Sequence, residues 1–171
     1  MAFDLATINS IGKIATTILV LLAVFLFTVE SRIKTANRLF TVFLLLVAFD
    51  MSGLFIYEWL MQHPFIDVLR RSGAYLQMPL IYYYVKLICF KGIQITANAL
   101  KHVIIVGLFW AVYLFNLMWL SSAEQISFVQ DPNTNLNITF SIIGELQYFF
   151  YILLIFKALA TYRTNYQANF A

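Results

Sequence analysis

Charge is scarce in this chain. Only 11% of its 171 residues are Asp, Glu, Lys or Arg, against 62% that are hydrophobic. A soluble domain carries about 25% charged and roughly 45–50% apolar residues, so this chain has too little polar surface to face water all round. Cysteine is nearly missing, and the lone Cys89 excludes a disulfide within one chain and any multi-cysteine metal site. There are two histidines. His63 lies in the loop QHPFID and His102 at the start of a later apolar run, on what should be opposite faces of a bilayer, so they cannot share one ion. No G-x-x-x-x-G-K-[ST], H-E-x-x-H or G-x-S-x-G occurs, and no nucleophile–base pairing or metal cluster converges on one face. We therefore do not expect an enzyme. No charged or Pro/Gly-rich linker divides the chain, which reads as one domain, residues 1–171.

Long apolar runs are what it has. Mean hydropathy is +0.82, and a hydrocarbon core of about 30 Å needs roughly 17–25 helical residues to cross. Five runs qualify: about 11–29, 39–61, 72–90, 102–121 and 139–160. Unpaired backbone groups are not tolerated in lipid, and the runs do not alternate as barrel strands would. The expected fold is all-α, an integral membrane bundle of about five transmembrane helices. The first run lacks an A-x-A-like site after it, so it reads as retained rather than cleaved.

The isoelectric point near 9.0 does not imply nucleic acid, because the bases are scattered through short loops. Arg32, Lys34, Arg38, Lys86, Lys91, Lys101, Lys157 and Arg163 fall on one side of the five-span reading. Only Lys13, Arg70 and Arg71 fall on the other, beside loop 121–138 with Glu124 and Asp131. The positive-inside rule puts the N-terminus outside and the C-terminus in the cytoplasm. A multi-pass protein of a bacterial inner membrane is the expected setting.

Within the runs, the informative residues are Asp50, Glu58, Gln77 and Glu145 with Gln147, the first four as a candidate intramembrane polar site. Asp50 falls at the middle of 39–61 and should face protein or a polar cavity, since a central Asp costs about 2.5–3.5 kcal/mol in lipid. Glu58 could pair with Arg70 or Arg71. Pro79 should kink or break the third run near Met78, with Gln77 placed to satisfy a freed backbone group. Tyr82, Tyr83 and Tyr84 must point in three directions around a helix. Lys86 and Lys157 should snorkel to headgroups. Small residues let helices approach, so Ala48, Ser52, Gly53, Gly73 and Ala74 are candidate helix contacts, with a partner or within the chain. Seventeen Phe suit lipid, pigment or quinone contact and helix packing equally, so the cofactor stays unknown.

The stretches NRLFTVFLLLVAFD (37–50), YLQMPLIYYYVKLICF (75–90) and KALATYRTNYQANF (157–170) resemble the membrane region of bacterial AraC-type transcriptional regulators. In that family several N-terminal membrane helices precede a cytoplasmic helix-turn-helix domain, and the third helix is rich in proline and tyrosine. The resemblance implies a sensor-like membrane domain. The family has about seven membrane helices and then the DNA-binding domain, whereas five runs and a short polar tail are seen here. No DNA-binding residue carries over, and this chain is not expected to bind nucleic acid. Two readings follow: a non-catalytic membrane subunit packing within a larger complex, or a truncated sensor-like domain that binds a small ligand or partner and signals to the cytoplasm. Each needs a membrane protein partner beside the lipid bilayer. The tail TYRTNYQANFA should be mobile or contact a cytoplasmic partner.

Overall fold

The computed structural model describes residues 4–90, 92–93 and 97–170; Lys91, one of the bases counted above, lies outside them. The described residues form helices and turns with no strand. In chain order these are α1 (Leu5–Thr28), α2 (Lys34–Ser52), the short α3 (Tyr57–Met61), α4 (Pro64–Cys89), a 3-10 turn (Ala97–Val103), α5 (Ile104–Trp119), α6 (Ser122–Gln130) and α7 (Asn135–Phe170). Four segments are long and apolar enough to cross a membrane: Ala6–Thr28, Lys34–Ser52, Lys101–Trp119 and Asn135–Ala168. The chain is a multi-pass membrane protein.

The helices alternate in direction. Thr41 Oγ1 of α2 donates to Ala23 O of α1 at 3.4 Å, while Gly12 of α1 lies against Leu54 and Phe55, beyond the other end of α2. These two helices are therefore antiparallel. Asp50 meets Arg70, and Phe40 stacks on Tyr84 at 4.6 Å, so α2 and α4 are antiparallel too. Helix α5 opposes α4, with Tyr75 against Phe109 and Tyr82 against His102. Helix α7 runs parallel to α4, pairing Tyr75 with Phe140 and Tyr82 with Tyr151.

Helix α4 is absent from the four apolar segments, and its position explains why. It packs against α2, α3, α5, α6, α7 and the 3-10 turn. A helix surrounded by protein can keep Asp, Arg, Gln and Tyr that a lipid-facing helix cannot. Helix α1 shows the opposite balance: most of its side chains are exposed, and Ala23 is fully buried where α2 crosses. A buried hydrophobic cluster joins α4 to α5, α6 and α7 through Val68, Phe109, Tyr113, Leu117, Val129 and Phe140. Phe109 stacks on Tyr113 at 4.2 Å and meets Phe140 edge-on at 4.9 Å.

Four features depart from the sequence reading. The run 39–61 is two helices, because α2 stops at Ser52 and tightens into successive i+3 bonds: Gly53 N to Asp50 O, Leu54 N to Met51 O, Phe55 N to Ser52 O. At this stop Arg70 Nη1 donates to Asp50 O at 3.1 Å, sharing that acceptor with Gly53 N. Asp50 therefore sits in the last turn of α2, not mid-helix. The third run starts early, at Pro64, since proline suits a first helical position; it also passes through Pro79 without a break. The loop 121–138 contains α6, started by Ser121 and Glu124 as an S-x-x-E capping box. The tail is helical: α7 has 36 residues, about 54 Å at 1.5 Å per residue, which exceeds the ~30 Å hydrocarbon core.

Candidate functional site

Polar chemistry gathers in three places, each built on α4. The first is an ion cluster at its N-terminal end. Asp67, in the first turn of α4 where the helix dipole favours an acid, accepts from Arg70 Nε at 2.9 Å and Nη2 at 2.8 Å through Oδ1, and from Arg71 Nε at 2.9 Å through Oδ2. Arg70 Nη1 reaches across to Asp50 Oδ1 at 2.8 Å. One carboxylate thus holds two guanidiniums, and one of these holds a second carboxylate. Asp67 is 5% exposed, Arg70 16% and Asp50 42%, so Asp67 is the buried anchor and Asp50 the half-open arm. Gly53 completes the cluster: a Cβ there would lie 2.9 Å from Arg70 Cζ and Nη1.

The second place is the seam between α4 and α7. Proline has no N–H, so Pro79 leaves the carbonyl of Tyr75, four residues earlier, without its helical donor. Gln147 of α7 supplies it, its Nε2 donating to Tyr75 O at 2.9 Å. The expectation that Gln77 would do this is corrected: Gln77 Nε2 is buried with no hydrogen-bond partner. Gly144, one turn before Gln147, makes the approach possible, since a Cβ would meet Tyr75 Cε1 at 3.2 Å. Tyr75 in turn donates to Phe140 O at 2.9 Å. Beside this seam opens a cleft of about 480 Å³ whose walls include Ala74, Gln77, Ser141, Gly144, Glu145 and Tyr148. Glu145 is exposed and makes no ion pair among the described residues.

The third place is the opposite end of α4. Tyr151 and His102 share a hydrogen bond through the Tyr hydroxyl and His Nδ1. Tyr82 and Tyr83 pack on the His102 ring at 6.4 and 5.5 Å, and Lys86 Nζ lies 5.3 Å above the Tyr82 ring and 6.0 Å above Tyr83. Tyr84 turns away to Phe40, so the three tyrosines do diverge.

The structure brings Gln77 and Glu145 together at one cleft. Asp50 lies with Arg70, and Glu58 lies apart on α3, exposed beside Tyr57 and Trp59 in a groove against Ile8 and Asn9. Arg70 and Arg71, considered for Glu58, belong to Asp67 and Asp50. Of the small residues, Ala48 is buried, Gly53 faces Arg70, and Gly73 would place a Cβ 3.3 Å from Leu46 Cδ2, so these serve contacts inside the chain. Ser52 donates its hydroxyl to Phe49 O at 2.6 Å. Ala74 alone lines the open cleft. Asp67 was missed in the sequence, though legible as an acid three and four residues before two arginines. Gln147 was singled out beside Glu145, but its role gave no local signal, because its partner is 72 residues away. Among the described residues no three His, Cys, Asp or Glu side chains form a metal site.

Comparison with known proteins returns no match: no family model fits the chain, and no curated protein or solved structure matches it.

Proposed function

We propose that this chain is a non-catalytic integral membrane subunit, and that a helix of a partner protein packs along the α4–α7 cleft. The observation that carries the reading is the pairing of an exposed carboxylate, Glu145, with a buried, unpartnered Gln77 amide in one groove. A charged group at bilayer depth costs a few kcal/mol unless protein or water covers it. The groove walls supply Ala74, Ser141 and Gly144, the small residues that let two helices approach closely. A polar stripe edged by small residues suits a helix that offers donors to Glu145 and an acceptor to Gln77.

In this reading five helices cross the bilayer, α4 being the fifth, sheltered by the other four. The N-terminus is outside and the C-terminus in the cytoplasm of a bacterial inner membrane. Ion pairing adds support: Arg70 and Arg71, two of the three bases on the outer side, are bound to Asp67. The test is copurification from native membranes, with partners identified by mass. A stoichiometric membrane partner, lost when Ser141→Trp fills the groove, is expected. A lone monomer in mild detergent and in native extracts refutes it. A C-terminal reporter fusion active only outside the cell refutes the orientation.

A second reading, a sensor-like domain of the kind the resemblance implies, is favoured by α7. The helix that carries Glu145 and Gln147 continues unbroken to Phe170, so an occupant of the cleft acts directly on a rod extending past the membrane. That rod would then dock a cytoplasmic protein, and labelled Tyr162 and Arg163 should crosslink to it.

A further inference from the structure

We propose that the basic end of α4 is a binding site for an anionic phospholipid. The groove between α2, α4 and the 3-10 turn has a volume of about 280 Å³, and Leu39, Val42, Pro79, Leu80, Ala99 and Val103 are among its walls. Almost everything facing it is hydrocarbon. At its mouth stand Tyr83 and His102, with Lys86 held over the Tyr83 ring. Lys101 directly precedes His102 in the 3-10 turn and is exposed. His102 and Lys86 therefore stand at the polar rim of an apolar slot, with Lys101 next to His102 in the chain.

Among the described residues no acid pairs with them. The ion pairs among the described residues all belong to the Asp67 cluster at the other end, and the one acid at this end of the bundle is Glu30, between α1 and α2. Lys86 is instead held by two aromatic faces, a geometry that fixes a cation while leaving its charge open to an anion. Tyr151 fixes the His102 ring through Nδ1, so the imidazole is oriented before any ligand arrives. Cations over an apolar slot between membrane helices match an anionic headgroup with its acyl chain. A free phosphate would use the rim and leave the slot empty. The slot argues for the lipid.

The test is native mass spectrometry of the full chain in mild detergent, offered phosphatidylglycerol, phosphatidylcholine or millimolar inorganic phosphate. Phosphatidylglycerol should be retained over phosphatidylcholine, and the preference should weaken at high salt. The double variant Lys86→Ala/Lys101→Ala should bind it on the order of thirty-fold more weakly, about fivefold for each lysine near a headgroup. Ala99→Phe narrows the slot and should expel the lipid with both lysines intact. Equal retention of phosphatidylcholine, or a salt-independent preference, overturns the proposal even if the lysine variant does not fold. Displacement by inorganic phosphate, with no effect of Ala99→Phe, assigns the site to a free anion and overturns the lipid.

Discussion

Pro79 and Gln147 should be energetically coupled although they sit on different helices and touch only through Tyr75. Pro79 withholds the donor that the Tyr75 carbonyl would receive in a helix, and Gln147 Nε2 provides it from α7 at 2.9 Å. Gln147→Leu leaves that carbonyl buried and unpaired, which costs about 1–3 kcal/mol in proteins generally. Hydrogen bonds between membrane helices average about 0.6 kcal/mol and reach about 1.7. Gln147 is 8% exposed, so water cannot replace it, and the upper part of that range, about 1.5 kcal/mol, is the expected loss. In the Pro79→Ala background the new N–H of residue 79 serves Tyr75 O, and Gln147→Leu should then cost about 0.5 kcal/mol, an ordinary net hydrogen bond. The coupling is about 1 kcal/mol, or about 2–4 °C in Tm for a chain of this size. Thermal unfolding of the four proteins in mild detergent, followed by tryptophan fluorescence, measures it. Equal losses from Gln147→Leu in both backgrounds would show that Gln147 does not compensate for the proline.

Three further outcomes are expected. Asp67→Asn should lower stability by about 3 kcal/mol, because it strands two arginines on a buried site, and Asp50→Asn by about 1 kcal/mol or less, because that arm is 42% exposed; the same unfolding assay ranks them, and a larger loss at Asp50 refutes the anchor assignment. Gly53→Ala should cost about 1–3 kcal/mol by driving a methyl into the Arg70 guanidinium, and Arg70→Ala should remove most of that penalty. The Glu124 carboxyl is held below its usual range by the Ser121 hydroxyl and N–H it accepts from; its lowered folded value means its contribution to α6 is complete above the ordinary Glu range and fades as pH falls through the lowered one. Amide exchange in 122–130 should therefore accelerate in acid for the native chain, and much less for Glu124→Gln.

The helical class and the apolar runs were legible because they follow from composition and length, which lipid constrains directly. Position along the helices was less so. Asp50 seemed mid-membrane because hydropathy does not register where a helix stops, nor that Arg70, 20 residues later, binds the Asp50 carbonyl at that stop. Two signals were local and readable: Pro64 at a first helical position and the Ser121–Glu124 capping box. Pro79 was recognised as an anomaly, but its remedy came from α7, and no local pattern links residues 75 and 147. Gln77 and Glu145 emerged as separate polar positions, and only the parallel packing of α4 and α7 makes them walls of one cleft.

That packing gives the polar residues a common logic. A membrane helix can be rich in charged and amide side chains only where other helices cover it, and α4 has both the polar residues and the cover: Asp67, Arg70 and Arg71 at one end, Gln77 and Pro79 in the middle, Lys86 at the other. Its covering is interrupted by the apolar slot beside α2 and by the open α4–α7 cleft, which the exposed Glu145 and the half-buried Gln77 line together. Ion pairs satisfy the first end and Gln147 satisfies the proline. Among the described residues around α4, the groups left over include the Glu145 carboxylate, the Gln77 amide and the Lys86 rim. The first two lie on one groove edged with small residues, and the third caps an apolar slot. These groups divide into a contact suited to a helix and a contact suited to a lipid. Blocking Ala99 should leave a copurifying protein bound, and blocking Ser141 should leave the lipid bound; loss of both with either substitution would mean that one occupant, not two, fills these sites.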